Sequence, residues 1–131
     1  MTKPDDLGKL ILRVALGVLI LLHGLAKLRT GVHGIGGGLA AHGVPGVLAY
    51  LVYVGEIVAP VLLIIGLFTR PAALVVAIDM LVAVWLVHMP QLGSFHGQGG
   101  WALELQGMFL SSAIALAFLG GGRLGIGGRF N

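Results

Sequence analysis

Cysteine is absent from this chain of 131 residues, and charged residues are rare in it. Without thiols the chain cannot form a disulfide, a thiolate nucleophile, a cysteine-ligated iron–sulfur cluster or a cysteine-ligated zinc site. Charged residues make up 10% of the sequence and hydrophobic residues 57%, whereas about 25% of the residues in a soluble domain are charged. This composition excludes an ordinary soluble domain and predicts an integral membrane protein.

Four long apolar runs follow one another, at approximately residues 7–28, 46–68, 71–89 and 101–120. Each run matches the ~20 helical residues that cross a bilayer core about 30 Å thick. Their hydrophobicity is continuous and does not alternate with period two, which favours helices over the strands of a membrane barrel. Pro45 and Pro71 stand where the second and third helices would start. We therefore predict one domain over residues 1–131, an all-α integral membrane four-helix bundle.

Lysine and arginine lie mostly on one side of this predicted arrangement. The N-terminus, the second connection and the C-terminus hold six of the eight, which are Lys3, Lys9, Arg13, Arg70, Arg123 and Arg129. Because cytoplasmic loops carry an excess of Lys and Arg, both termini are predicted in the cytoplasm. The chain is then a multi-pass protein of the cell (inner) membrane, with lipid as a partner. The net charge of +3 is spread over helix ends, which argues against nucleic-acid binding.

Three acidic residues, Glu56, Asp79 and Glu104, lie inside the apolar runs. An ionised carboxylate at the centre of a bilayer costs roughly 2.5–3.5 kcal/mol on insertion scales, so each needs a partner, a wet cavity or a function. The predicted topology gathers a polar set in the outer half of the bundle, which is His23, Lys27, Tyr53, Glu56, His88 and Glu104, with Trp85 near the outer interface.

Glu56 has two interpretations within this set. It could be structural, in an ion pair with Lys27 or a hydrogen bond with Tyr53. Alternatively, it could accept or release a proton where a quinone gains or loses protons with its electrons, because burial and a nearby cation pull on its protonation in opposite directions. Arg13 and Asp79 lie at comparable depth in the inner half, about 8 Å and 12 Å from their helix ends. A structural ion pair is favoured for them, and a proton relay through Asp79 is the alternative.

The histidines raise the question of a haem or metal site. His23 and His88 end two different helices, so they could bind a haem iron axially or, with Glu104, a metal ion. Both readings are disfavoured because these histidines lie near the membrane surface rather than deep between helices. His33, His42 and His96 fall in loops and are expected to be solvated.

Small residues recur at helical spacing and predict helix contacts. Gly17 and Gly24 are one heptad apart on the first helix, and Gly55 and Ala59 are four residues apart on the second. Small side chains let two helix backbones approach closely in a membrane.

The order of several short motifs resembles the DoxX family of small four-helix membrane proteins. The residues that carry it are His23-Gly24-Leu25-Ala26-Lys27, Gly43-Val44-Pro45, Glu56, Gly66-Leu67-Phe68-Thr69-Arg70-Pro71, Met80, Ala83, His88, Phe95, Gly97, Gly100, Glu104 and Gly120 to Arg123. The resemblance implies a membrane domain associated with redox systems, similar to the membrane subunit of thiosulfate:quinone oxidoreductase. It also implies that His23, Lys27, Glu56, His88 and Glu104 form the polar site. Asp79 lies outside the family pattern, and the tail lacks the usual Tyr-Ser-Leu-Asp-like ending.

The leading hypothesis is a quinone-interacting membrane subunit of an oxidoreductase complex. Glu56 would donate or accept the proton, His23 or His88 would hydrogen-bond a quinone carbonyl, and Lys27 would stabilise negative charge. Tyr53, Trp85 and Glu104 would complete the cofactor site, and a redox protein or a second copy of the chain would be the partner. The alternatives are a non-catalytic anchor or assembly subunit and, with less support, a small transporter or proton pathway.

Overall fold

A computed structural model describes residues 4–31, 33–88, 93 and 103–125, with the backbone alone for residues 33, 87 and 88. His96 and Trp101 lie outside the described residues. The described elements are all helical: α1 (Pro4–Thr30), α2 (His33–Ala41), α3 (Gly46–Ile65), α4 (Thr69–Ala83, extended by a π-helical turn Val84–His88) and α5 (Glu104–Leu119).

Three of these helices, α1, α3 and α4, are long and apolar enough to cross a membrane. The fourth predicted span is represented by α5, an apolar helix of 16 residues whose predicted first residues lie outside the described part of the chain. Large apolar side chains such as Leu22, Leu51 and Phe118 are exposed along these helices. Helices that are apolar on their outer faces as well as their inner ones are typical of membrane proteins.

The core lies where α1, α3, α4 and α5 meet. Its fully buried side chains come from all four helices and include Ile20, Leu63, Ala73, Val76, Ala113 and Leu116. α4 packs mainly on α5, and α1 mainly on α3. The short helix α2 instead packs on the beginning of α3, through a second small cluster around Leu39 and Ala49.

Glycines set the distance between α1 and α3, as the heptad spacing predicted. A Cβ at Gly17 would lie 2.8 Å from the backbone oxygen of Pro60, and a Cβ at Gly24 would overlap the backbone oxygen of Glu56. No larger residue fits at either position unless the helices move apart. The predicted glycine contacts on α1 are therefore confirmed, and they bring Glu56 against the last turns of α1.

The turn between α3 and α4 begins earlier than the sequence indicated. Gly66 adopts a left-handed conformation with φ of 73°, and Phe68 follows with φ of 50°. These two residues end α3 at Ile65 rather than at Phe68. α4 then begins at Thr69, so Pro71 lies in the first turn, where a missing N–H costs no hydrogen bond.

The predicted ion pair between Arg13 and Asp79 is wrong. Arg13 is fully buried and donates hydrogen bonds to backbone carbonyls instead: Nη1 to Leu63 (3.0 Å) and Ile64 (2.9 Å), Nε to Gly121 (3.2 Å), and Nη2 to Leu124. The last carbonyls of a helix lack intrahelical partners, and a guanidinium has five N–H donors to supply. Arg13 thus fastens the end of α3 and the tail after α5 to α1.

Candidate functional site

Lys27 and Glu56 form the main polar contact between α1 and α3. Lys27 Nζ lies 2.6 Å from Glu56 Oε1 and 2.7 Å from Oε2, so one ammonium group bonds both carboxylate oxygens. The Glu56 side chain is 2% exposed and the Lys27 side chain 31% exposed. An ionised pair with one buried member is the arrangement in which a carboxylate is tolerated at membrane depth. The predicted proximity of these two residues is thus present in the structure.

A π-helical turn, Val54–Val58, carries Glu56. The backbone N–H of Ala59 donates to Val54, five residues earlier, instead of to Gly55 as in an α-helix. Pro60 follows directly and has no N–H, so it removes the regular donor to the Glu56 carbonyl. Single π-helical turns inside α-helices occur often at functional sites. The sequence prediction missed this turn, and Pro60 in the middle of an apolar run was the signal for it.

Tyr53 hydrogen-bonds the backbone of Lys27 rather than the side chain of Glu56. Its hydroxyl donates to the backbone oxygen of Lys27 at 3.3 Å. This bond ties α3 to the last turn of α1, next to the point where Lys27 reaches across. Tyr53 thus contacts the backbone of Lys27, and its place among the cofactor-binding residues stays a prediction.

A cavity of about 110 Å³, here called the polar cavity, adjoins the ion pair. Its polar walls are His23, Lys27, Glu56 and Gln106, and apolar side chains including Ile20, Met80 and Phe109 close the rest. The His23 ring packs edge-on against the Phe109 ring, with centroids 5.7 Å apart. Gln106 was not predicted, although an amide inside an apolar run could have been selected by the same criterion as Glu56.

Asp79 lies beside Glu56, not beside Arg13. The Asp79 carboxyl group is close enough to Glu56 and Lys27 to interact electrostatically with both. Asp79 Oδ2 is buried and has no hydrogen-bond partner among the described residues. Gly55 makes this approach feasible, because a Cβ there would lie 2.7 Å from the Asp79 Cβ. Lys27, Glu56 and Asp79 are thus three ionisable side chains grouped between α1, α3 and α4.

A second and larger space, here called the apolar groove, opens on the other side of α3. It measures about 440 Å³ and is bounded by α2, α3 and α4, with Leu39, Val54, Val82 and Trp85 in its walls. Trp85, which tilts over the His42 ring at a centroid distance of 4.7 Å, stands at one end. Asp79 is the one ionisable side chain among the described residues that line the groove.

Glu104, another predicted site residue, does not line the polar cavity. Glu104 is exposed at the first position of α5, and its neighbours Leu105 and Gln106 line the polar cavity instead. His88 ends the π-helical turn of α4, and its side chain lies outside the described part of the structure. His42 is exposed, with Nδ1 2.9 Å from the Gly38 oxygen. Within the described residues, no three His, Asp or Glu side chains are grouped so that they could hold a metal ion.

Comparison with known proteins identifies one family and two curated relatives. The family model described as DoxX matches residues 8–89, a region that contains His23, Lys27, Glu56 and Asp79. The chain is 30% identical over 120 residues to "Putative oxidoreductase CatD" of Bacillus subtilis, covering 92% of this chain and 84% of that protein. It is 32% identical over 122 residues to an uncharacterized protein of Haemophilus influenzae, covering 91% and 87%. No solved structure matches.

Proposed function

The chain belongs to the DoxX family, and from this premise we propose that it is the quinone-interacting membrane subunit of an oxidoreductase complex. It resides in the cell membrane as a bundle of four spans with both termini in the cytoplasm. The name of the Bacillus subtilis relative supports a redox role. With no cysteine in the sequence, thiolate redox chemistry is excluded within the chain. In this proposal the electrons come from a redox-active protein partner or from a bound cofactor.

The observation that carries this proposal is the Lys27–Glu56 pair at the wall of the polar cavity. Reduction of a quinone takes two electrons and two protons, and its reversal releases them. A carboxyl group that touches a cavity on one side and the protein interior on the other can exchange those protons. Lys27, which bonds both carboxylate oxygens, stabilises Glu56 once its proton has left.

His23 and Gln106 supply the remaining polar groups of the cavity. An imidazole and an amide can each donate and accept hydrogen bonds, so they can order the water that resupplies Glu56. His23 is exposed at its outer edge, which gives this water a connection to the surface. Glu56 is thus the proton donor or acceptor, Lys27 the charge-stabilising group, and His23 the residue at the cavity entrance.

Replacement of Glu56 by glutamine tests this proposal. The amide keeps the size of the side chain but cannot release a proton, so quinone-dependent turnover of the complex isolated from membranes should fall by at least about 100-fold. The amount of assembled complex should fall far less. Turnover is measured with the co-isolated protein partner and a short-chain quinone. Asp5→Asn, which removes an exposed carboxylate at the start of α1, is the control and should keep wild-type turnover.

A structural role for the same pair is the competing proposal. Lys27, Glu56 and Tyr53 together join α1 to α3, as an anchor or assembly subunit would require. In that case Glu56→Gln lowers the amount of complex while the turnover of each remaining complex stays at the wild-type value. That result would overturn the catalytic proposal.

A further inference from the structure

Two spaces on opposite sides of α3 meet at one pair of acids. Glu56 forms part of the wall of the polar cavity, and Asp79, which interacts electrostatically with Glu56, forms part of the wall of the apolar groove. Gly55 lines the groove between them, and its lack of a side chain is what lets Asp79 reach the π-helical turn. The chain therefore has a polar route from one space to the other through two carboxyl groups.

The sizes of the two spaces decide which one takes a quinone ring. A cavity of about 150 Å³ just accommodates benzene, so the polar cavity of about 110 Å³ is too small for a substituted quinone and suits a few waters. Binding sites for small molecules typically measure about 300–1,000 Å³ and are mostly apolar with a few polar groups. The apolar groove, at about 440 Å³ with one ionisable side chain, has those properties.

The Asp79 carboxyl group points to the chemistry of the occupant, because it is the one ionisable side chain among the described residues of the groove wall. Buried polar atoms in proteins are nearly always hydrogen-bonded, yet Asp79 Oδ2 has no partner among the described residues. An occupant that carries one polar group on an otherwise apolar body would match this wall. A quinone, with a carbonyl oxygen on a flat ring and an apolar tail, fits this description. Trp85 at the end of the groove offers an aromatic face to such a ring.

We infer that the apolar groove is the quinone headgroup site, and that Asp79 is the residue that bonds the quinone oxygen and passes protons to it from Glu56. This inference rests on the proposed function and places the ring on the opposite side of α3 from the polar set that the sequence indicated. Asp79, which lies outside the family's polar pattern, becomes the residue in contact with the ligand.

The proton transfer balances as follows. In each cycle the quinone gains one electron from the protein partner or from an electrode, and its oxygen takes the proton of the Asp79 carboxyl group, so one O–H bond breaks and another forms. Asp79 is then a carboxylate near the Glu56 carboxylate, and Lys27 compensates part of the two charges. Water in the polar cavity reprotonates the pair through Glu56, and a second cycle delivers the second proton. Oxidation of a quinol runs the same steps in reverse.

Ligand binding is tested on the full chain in phosphatidylcholine nanodiscs, with decylubiquinone as the probe and Trp85 fluorescence as the readout. Because the chain has two tryptophans, a Trp101→Phe background leaves Trp85 alone. Quenching should saturate with decylubiquinone. Val54→Phe, which fills the groove, should weaken binding at least about tenfold. Val61→Phe, at a comparably exposed position of α3 away from the groove, should leave it within about twofold.

The role of Asp79 is tested by two substitutions. Asp79→Asn keeps a hydrogen-bonding group, so binding should change less than about threefold, whereas Asp79→Leu should weaken it about tenfold. When decylubiquinone is reduced at an electrode, the infrared carboxylic-acid band of the wild type should change, and this change should disappear in Asp79→Asn. In the complex, Asp79→Asn should lower kcat much more than it raises KM.

The outcomes separate this inference from the proposed function. Quenching that rises linearly with the quinone concentration, and equally in Val54→Phe and in the wild type, means that the probe only partitions into lipid. The groove assignment is then overturned. If decylubiquinone binding saturates but Asp79→Asn keeps both the kcat and the infrared carboxylic-acid change of the wild type, the role of Asp79 is overturned. Either result is compatible with loss of turnover in Glu56→Gln. Retained turnover in Glu56→Gln instead rejects the proposed function, whatever the groove binds.

Discussion

Arg13 illustrates how a single buried cation stabilises an apolar helix assembly without a carboxylate partner. Its guanidinium bonds the carbonyls of Leu63 and Ile64 at the end of α3, and those of Gly121 and Leu124 in the tail. The carbonyl end of a helix carries a partial negative charge, so the hydrogen bonds also compensate the charge of the side chain. Arg13 of α1 thus holds two other segments, the end of α3 and the tail after α5.

Replacement of Arg13 by methionine should destabilise the protein by roughly 2–4 kcal/mol, because several buried carbonyls lose their donor at once. The apparent Tm of the purified protein in detergent measures this loss. Arg70→Met removes an exposed arginine at the start of α4 and should leave Tm nearly unchanged. Equal melting of the two variants would mean that the carbonyl contacts of Arg13 contribute little.

The two ionic predictions, one right and one wrong, show what sequence conveys about residue pairing. Counting residues along the helices placed Lys27 and Glu56 in the same half of the bundle, and the structure brings them into contact. The same depth argument paired Arg13 with Asp79, because it contains neither the helix face nor the backbone carbonyls that compete for a guanidinium. Every residue has a backbone carbonyl group, so the sequence does not indicate which carbonyls will accept these hydrogen bonds. The contact between Asp79 and Glu56 was missed for the same reason.

At the scale of the element, α3 is the helix that positions the site. It begins with the 3₁₀ turn Gly46–Tyr50, continues through the π-helical turn Val54–Val58 and ends at the left-handed Gly66. The existence of this helix was predictable from hydrophobicity, whereas its π-helical turn depends on Pro60 and on the close contact with α1. Glu56 lies in this π-helical turn and lines the polar cavity. The orientation of its side chain therefore depends on Pro60 and on the close contact with α1.

Gly24 determines how closely α1 approaches that turn, so Gly24→Ala should separate the helices and break the Lys27–Glu56 contact. A Cβ there would lie 2.7 Å from the Glu56 carbonyl carbon and from Ile57 Cγ1, and overpacking of this kind typically costs about 1–3 kcal/mol. Gly8→Ala is the matched control, since no atom lies within 4 Å of its added Cβ. Alanine at that helical position should stabilise by about 0.5–1 kcal/mol.

Thermal unfolding of both variants in the same detergent gives the comparison. A decrease in Tm for Gly24→Ala and a constant or higher Tm for Gly8→Ala is the expected pattern. If Gly24→Ala melts like the wild type, the helices accommodate a methyl group and the close approach is not required for stability.

At the scale of the whole molecule, the start of α1 and the tail after α5 meet at one end of the helices. The Arg123 backbone N–H donates to Asp6 Oδ1 at 3.1 Å, next to the Arg13 contacts with the tail. α2, by contrast, packs on the beginning of α3 and borders the apolar groove. The groove is therefore near the end opposite the contact between Asp6 and Arg123. The direction of the molecule in the membrane decides from which side protons enter the polar cavity.

The distribution of lysine and arginine predicts that the termini are cytoplasmic and that α2 faces outward. Since the chain contains no cysteine, a single introduced cysteine reports its own side without background. In right-side-out membrane vesicles, a membrane-impermeant maleimide should label His42→Cys, exposed after α2, and should leave Asp5→Cys, exposed at the start of α1, unlabelled until the membrane is permeabilised. A cysteine placed at the lipid-facing Val61 should stay unlabelled in both conditions. Labelling of Asp5→Cys in intact vesicles with protection of His42→Cys would invert the orientation and move the entry of protons through His23 to the cytoplasmic side.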